Sequence, residues 1–348
     1  MSYLPTTMQG VQLEGHGGPE MLVVRQDIPV PQPGASDVLI KVAAAAVNNT
    51  DINTRTAWYF KQGDDSADAT WSGKSLAFPR IQGADVCGVI VAVGADVDSA
   101  RVGERVLIEP CLTRAAGQQL AAPWYFGSEC DGGFAEYTMV DSQHAYRVNS
   151  ALSDAQLPSF PCSYSTAENM LERAAVNAND TVLIAGASGG VGSAAIQLAK
   201  ARGASVFAIT SASKQQQVLD LGVDKVIDRA SDLVEQLGKN SVTVVIDLVA
   251  GPQWPQFLEL LQPGGRYAVA GAIGGALVEL DIRSLYLKDL SFFGCTVLAP
   301  QVFQNLVHRI EADEVKPLVA QCFPLAQIAE AQASFEQKQH VGKLVLTL

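Results

Sequence analysis

At 348 residues the chain is longer than one ordinary hydrophobic core requires, which predicts two domains. Hydrophobic residues make up 48% and charged residues 17%, a globular composition that excludes a disordered chain. The formal charge of −12 excludes nucleic acid as a partner, because no basic surface would offset the displaced counterions, although a local pocket for one phosphate is compatible with it.

No apolar run reaches membrane-spanning length, and the start, MSYLPTTMQG, lacks the basic-then-apolar shape of a signal peptide; a cytoplasmic protein without membrane contact is expected. Cys87, Cys111, Cys130, Cys162, Cys295 and Cys322 contain no CxxC pair, which predicts reduced thiols.

In chain order, the first part reads as short strands cut by Gly and Pro: residues 38–42, 88–94, 105–108 and 134–140. This all-β texture predicts a small barrel. Residues 61–75, polar and rich in Gly, Asp and Ser, predict a loop. Beyond residue 153, strands 181–185, 205–209, 242–248 and 266–270 alternate with helices ending near Lys200, over 214–221 and over 254–261. Apolar strands separated by amphipathic helices predict a parallel sheet covered on both faces. The tail adds a helix over 302–312 and a last strand over 343–348. The expected organisation is a β-rich domain of residues 1–155 and 300–348, into which a dinucleotide-binding domain of residues 156–299 is inserted.

The sharpest motif is Gly186, Ala187, Ser188, Gly189, Gly190, Val191 and Gly192, which follows an apolar strand and opens a helix. Glycines permit the tight turn and let backbone approach a pyrophosphate, while the helix N-terminus supplies N–H donors and a positive dipole end. With strand, helix and next strand in place, the context is that of a dinucleotide site. Where NAD sites usually present an acid, this chain reads Thr210, Ser211, Ala212, Ser213 and Lys214, with no acid before Asp220. Ser211, Lys214 and Arg229 suit the 2′-phosphate of NADPH.

With these segments, the chain resembles the medium-chain dehydrogenase/reductase superfamily, in its zinc-independent, quinone-oxidoreductase-like branch. The resemblance rests on Pro33-Gly34, residues 46–51 and 83–90, Val93-Gly94, residues 102–106 and 132–137, the glycine turn and residues 341–346. It implies an α/β fold, with a GroES-like β-barrel catalytic domain, a Rossmann doubly wound parallel-sheet domain and a cleft between them. Zinc members take catalytic ligands at positions that here hold Asn48, Ala84 and Cys162, and the four cysteines of a structural zinc lobe are missing between Cys111 and Cys130. One thiol, even with Asp85 nearby, does not make a three-ligand site, so no metal is expected.

The resemblance places Asn48, Asp51, Asn53, Arg55 and Tyr59 along the nicotinamide cleft; relatives often carry Tyr where this chain has Asn53. Asn48 is a candidate hydrogen-bond donor to the substrate carbonyl or the nicotinamide amide. Tyr59 either donates to a developing oxyanion or forms a wall. Asp51, a candidate catalytic residue by position, is read as a helix cap. Thr166 matches a threonine beside the nicotinamide half, and Ala272 and Ile273, past a strand's carboxyl end, lie where open α/β sheets bind ligand. Lys343 is expected on the surface.

The expected activity is NADPH-dependent hydride transfer to a small-molecule quinone or α,β-unsaturated carbonyl. The alternatives are a divergent zinc-dependent alcohol dehydrogenase using Cys162 and Asp85, or a non-catalytic NADPH-binding redox sensor. Residues 290–298 read as an apolar edge strand, which predicts either a homodimer or cover from the same chain.

Overall fold

A computed structural model describes residues 4–60, 70–71 and 75–348. The polar loop expected over 61–75 falls largely on residues 61–69 and 72–74, outside the described ones. The chain divides into two compact units: residues 1–162 with 317–348, and residues 163–316.

Unit 1 is built on a seven-stranded sheet in the order Val319–Pro324, Lys343–Thr347, Asp37–Ala46, Asp85–Val93, Arg105–Ile108 and Ala145–Arg147, with Tyr137–Asp141 also pairing with Asp37–Ala46. All ladders but the first are antiparallel. Strand Asp37–Ala46 is central because its sequence, DVLIKVAAAA, is apolar on both faces, and Leu39, Ile40 and Ala45 are fully buried. The expected strand over 134–140 begins only at Tyr137. Phe134 and Ala135 instead bond to the first strand, through Val11 N–H to Phe134 O at 2.8 Å and a bridge from Gly10 to Ala135.

Unit 2 is a six-stranded parallel sheet in the order Lys225–Asp228, Ser205–Thr210, Thr181–Ala185, Val242–Asp247, Leu261–Val269 and Ser291–Gly294. The order turns back at Thr181–Ala185, which makes it a doubly wound Rossmann sheet with a switch point at the end of that strand. Val182, Leu183 and Ile184 are fully buried, as a strand covered on both faces requires.

Two expectations change. The expected seams lay at 155/156 and 299/300, but helix Pro300–Glu311 belongs to unit 2. Gln301 and Arg309 on that helix reach Glu172 and Glu168 of helix Pro161–Arg173, and the Tyr164 hydroxyl donates to Lys316 O at 2.7 Å. The chain therefore returns to unit 1 only at Pro317. The apolar stretch 290–298 gives a strand of four residues, Ser291–Gly294, because Cys295 onward leaves the ladder. None of the six cysteines is in a disulfide, and among the described residues no helix is long and apolar enough to cross a membrane.

Candidate functional site

In unit 2 the expected cofactor residues gather along the carboxyl edge of the parallel sheet. Strand Thr181–Ala185 stops at Gly186, whose φ of +72° turns the chain where a side chain would be strained. Gly189 N–H donates to Gly186 O at 3.1 Å, and helix Gly190–Ala201 begins. Gly192 allows that helix to press on the turn, since a Cβ there would lie 2.2 Å from Gly186 O. Over Gly189 the nearest atom to an added Cβ is 3.5 Å away, and the residue is exposed, so this is the open side of the cradle. Ala187 is fully buried and contributes backbone only, while Ser188, Gly190 and Val191 are half-buried.

Neighbouring loops meet this turn. A Cβ on Gly186 would touch Val249 at 3.1 Å, and Gly274 N–H donates to Val249 O at 2.7 Å. That bond brings the 271–274 segment, with Ala272 half-buried and Ile273 exposed, to the same edge. On the other side, Arg229 N–H donates to Thr210 O at 2.8 Å, which sets Arg229 beside Ser211 and Lys214. The Lys214 ammonium is held below its usual pKa by partial burial and, after it, by the charge of Arg229. Two cations set side by side make a place for an anion. The Thr210 hydroxyl at this strand end is buried with no partner. A turn with room for phosphate, an orphan hydroxyl and a cation pair fit a nicotinamide dinucleotide. Thr166 lies on helix Pro161–Arg173, half-buried.

In unit 1, strand register builds a second centre. Both Asp85 and Val345 pair with Ala46, so Asn48, Asp85 and Lys343 come together just past one end of three adjacent strands. The Lys343 ammonium lies 2.7 Å from Asp85 Oδ2 and donates to Asn48 Oδ1. Asn48 Nδ2 donates to Asp85 Oδ2 at 2.9 Å and to Ala46 O at 3.3 Å. Lys343, expected on the surface, is 3% exposed: a buried lysine needs a carboxylate, and Asp85 supplies it.

Asn48 is the N-cap of helix Asn49–Arg55, and Asp51, its N3 residue, accepts the Asn48 backbone N–H at 2.7 Å. Asp51 is fully enclosed, and desolvation pushes its carboxyl up to about 7 despite the Asn48 amide and the Lys343 charge. Cys162, at the start of helix Pro161–Arg173, donates its backbone N–H to Asp85 Oδ1 at 2.6 Å. Its thiol accepts from the Tyr125 hydroxyl at 2.9 Å, and burial, then Asp85, pushes it up to about 12, so it stays protonated. Ala84 and Trp71 pack beside Cys162 and Tyr125.

Tyr59 donates to Thr50 Oγ1 at 3.2 Å, and burial raises its phenol above the usual value. Asn53 also bonds to it, and the nearby Cys162 and Asp51 raise it further. Tyr59 thus joins the Asn48 and Asp51 neighbourhood. Arg55 does not: it is 1% exposed and clamps Gln332, Gly17 O and Glu336 instead. From the sequence, Tyr125 reads only as one of several aromatics that could shape a pocket, and neither its bond to Cys162 nor the burial of Lys343 against Asp85 was foreseen. Sequence reasoning also left helix Pro161–Arg173 undrawn, although Pro161 at its start and apolar residues at 164, 167, 170 and 171 carry a helical period.

Two family models match the chain: an alcohol dehydrogenase GroES-like domain over residues 34–150 and a zinc-binding dehydrogenase domain over residues 190–312. Human quinone oxidoreductase is 30% identical over 355 aligned positions, covering 98% of each chain. This chain is a medium-chain dehydrogenase/reductase of the quinone-oxidoreductase-like branch. An acryloyl-coenzyme A reductase from Metallosphaera sedula is 29% identical, covering 98% of this chain and 100% of its own. A solved structure from Sinorhizobium meliloti, provisionally described as an alcohol dehydrogenase, is 45% identical with a TM-score of 0.93, covering 99% and 97% of the two chains. This medium-chain dehydrogenase/reductase is therefore an NAD(P)-dependent oxidoreductase with a GroES-like domain and a Rossmann domain.

The metal implied by the zinc-binding model does not fit the residues present. Ala84 has no donor, both polar atoms of the Asn48 amide are engaged, and Asp85 is paired with an ammonium. Among the described residues no group of three or more His, Cys, Asp or Glu side chains is placed to hold a metal ion.

Proposed function

We propose that this medium-chain reductase uses NADPH to reduce a quinone or an α,β-unsaturated carbonyl without a catalytic metal. The observation that carries this reading is the ammonium–carboxylate pair, Lys343 with Asp85, standing among the positions from which zinc members draw their ligands. Alcohol oxidation needs a means of generating the alkoxide, which a metal supplies and this side-chain set does not. A conjugated acceptor is already electrophilic and asks only for positioning and for a donor to the oxygen that gains charge. The names of the two curated relatives, a quinone oxidoreductase and an acryloyl-coenzyme A reductase, both specify such acceptors.

When bound, the nicotinamide supplies the hydride. The chain's own residues bind and orient. The glycine turn from Gly186 to Val191 receives the pyrophosphate, and Ser211, Lys214 and Arg229 favour the 2′-phosphate of NADPH over the bare ribose of NADH. Thr166, Ala272 and Ile273 line the nicotinamide half. Tyr59 donates a hydrogen bond to the acceptor oxygen, with Thr50 as its resting partner. Asn48 and Asp51 are positioning residues: the amide of Asn48 is spent on Asp85, Ala46 and Lys343, and Asp51 fixes the backbone of Asn48.

We further propose that the protein pairs with a second copy through the terminal strand Ser291–Gly294. In support, Phe292 is 36% exposed, and Ile282, Tyr286 and Leu287 are exposed in the same unit. Sedimentation of the purified chain as a monomer would contradict that pairing.

The test of the activity is a panel. Purified protein of known metal content is given NADPH or NADH with a quinone, a small enone, an aldehyde and an alcohol. Consumption of NADPH with the quinone or the enone supports the reading. Turnover confined to the alcohol and aldehyde, in protein carrying stoichiometric zinc, would overturn it.

A further inference from the structure

The polar centre of unit 1 is closed and electrically balanced. One ammonium, Lys343, meets one carboxylate, Asp85, at 2.7 Å, with side chains 4% and 0% exposed. Asn48 bridges them, accepting from Lys343 and donating to Asp85 Oδ2 at 2.9 Å. The second carboxylate oxygen accepts the Cys162 backbone N–H at 2.6 Å, and the Cys162 sulfur accepts from Tyr125 at 2.9 Å. The Lys343 charge also reaches the Cys162 thiol and Asp51. A divalent ion entering here would meet that charge at close range. With Cys162 as thiolate, Asp85 as carboxylate and Asp51 protonated, ion and ammonium together would leave one uncompensated positive charge buried.

Resting on the metal-free reading above, we propose that the Lys343 ammonium is the resident cation of this centre, tethered in the seat of a metal, so that Asp85, Asn48 and Cys162 are a latent divalent-cation site that Lys343 keeps shut. Removing the ammonium frees the Asp85 and Asn48 oxygens that it bonds, beside Cys162, whose backbone N–H already holds the same carboxylate. That donor set suits Co2+ or Zn2+ with water completing the shell.

The test uses Co2+ alone as probe, with the full chain. Three readouts apply: cobalt per chain after equilibrium dialysis, the thiolate-to-cobalt charge-transfer absorbance, and a single cooperative melting transition as the check on folding. Wild type and Lys343→Arg are expected to take up no cobalt at Cys162. Lys343→Met is expected to bind one equivalent with the charge-transfer band, and Lys343→Met/Cys162→Ser to lose that band. A folded Lys343→Met protein that binds no cobalt overturns the proposal. So does a charge-transfer band in wild type or Lys343→Arg, and Lys343→Gln carries the same expectation in place of Lys343→Met if the latter does not fold. Because the readout is binding and not turnover, the two readings fail separately. Metal-free turnover alongside a cobalt-binding wild type sinks only this one, and a silent acceptor panel alongside the expected cobalt series sinks only the activity.

Discussion

In unit 2 the cofactor cradle is made of backbone. Its shape comes from Gly186 at positive φ, from Gly192 pressed against the Gly186 carbonyl and from the open face above Gly189. In unit 1 the polar centre is made of side chains, from residues 48, 51, 85, 125, 162 and 343, each held by another. A backbone site is written in one short segment and tolerates change around it. A side-chain site is written across the whole chain, and losing one member leaves another buried without a partner. The following changes break or sharpen that contrast.

The largest effect is expected at Lys343. Lys343→Met strands the Asp85 carboxylate in a dry site, which costs about 3–5 kcal/mol of stability. Lys343→Met/Asp85→Asn, which removes both charges, should recover most of that loss. Chemical denaturation of the two variants checks it, and an undisturbed single variant would mean the pair is not what holds this centre.

Next comes Asp51. Its carboxyl is raised to about 7 in the folded chain, chiefly by desolvation, against about 3.9 in an unfolded one. Below about pH 4 both states hold the proton and there is no cost. Between about 4 and 7 the unfolded chain releases a proton that the folded chain retains, so stability falls as pH rises, by at most ~4 kcal/mol, and then levels off. Asp51→Asn should flatten this slope in denaturation curves taken at about pH 4.5, 6 and 8. An unchanged slope would assign it to other groups.

Gly192→Ala places a Cβ 2.2 Å from Gly186 O and 2.7 Å from Ala187 Cα, both backbone, so the turn must shift. A loss of ~1–3 kcal/mol in stability is expected, together with weaker NADPH binding. Gly189→Ala meets nothing closer than 3.5 Å and should keep its stability while losing cofactor affinity. Melting curves and fluorescence titration with NADPH separate the two; equal losses of stability would remove the distinction between a packed glycine and an open one. The smallest effect is at Lys214. Lys214→Ala should lower the preference for NADPH over NADH by about tenfold, or ~1.4 kcal/mol, read from the ratio of kcat/KM values. No change in that ratio would detach Lys214 from the 2′-phosphate.

The same contrast explains what the sequence made legible. The doubly wound sheet and the glycine turn were readable because strand, turn and helix are contiguous, and Gly186 and Gly192 each have a local steric reason. That Asn48 and Ala84 stand at two positions from which zinc members draw ligands was readable as well, because residue type at a position needs no fold to be read. Lys343 was not: its bond to Asn48 spans 295 positions, and nothing beside it in the chain announces a buried partner. Only the register of three strands past Ala46 brings it home. Arg55 misled for the same reason, because its partners Gln332 and Glu336 lie on a helix near the other end of the chain. The place of helix Pro300–Glu311 was not legible either, because the Arg309–Glu168 ion pair and the Gln301–Glu172 hydrogen bond that tie it to helix Pro161–Arg173 are absent from any local pattern.

The most direct test of the central claim is one paired measurement: NADPH-dependent reduction of a small enone before and after exhaustive dialysis against a chelator, with the zinc content of both samples determined. The account predicts the same kcat in both, with zinc far below one equivalent per chain. A kcat that collapses on chelation and returns with added zinc would contradict it.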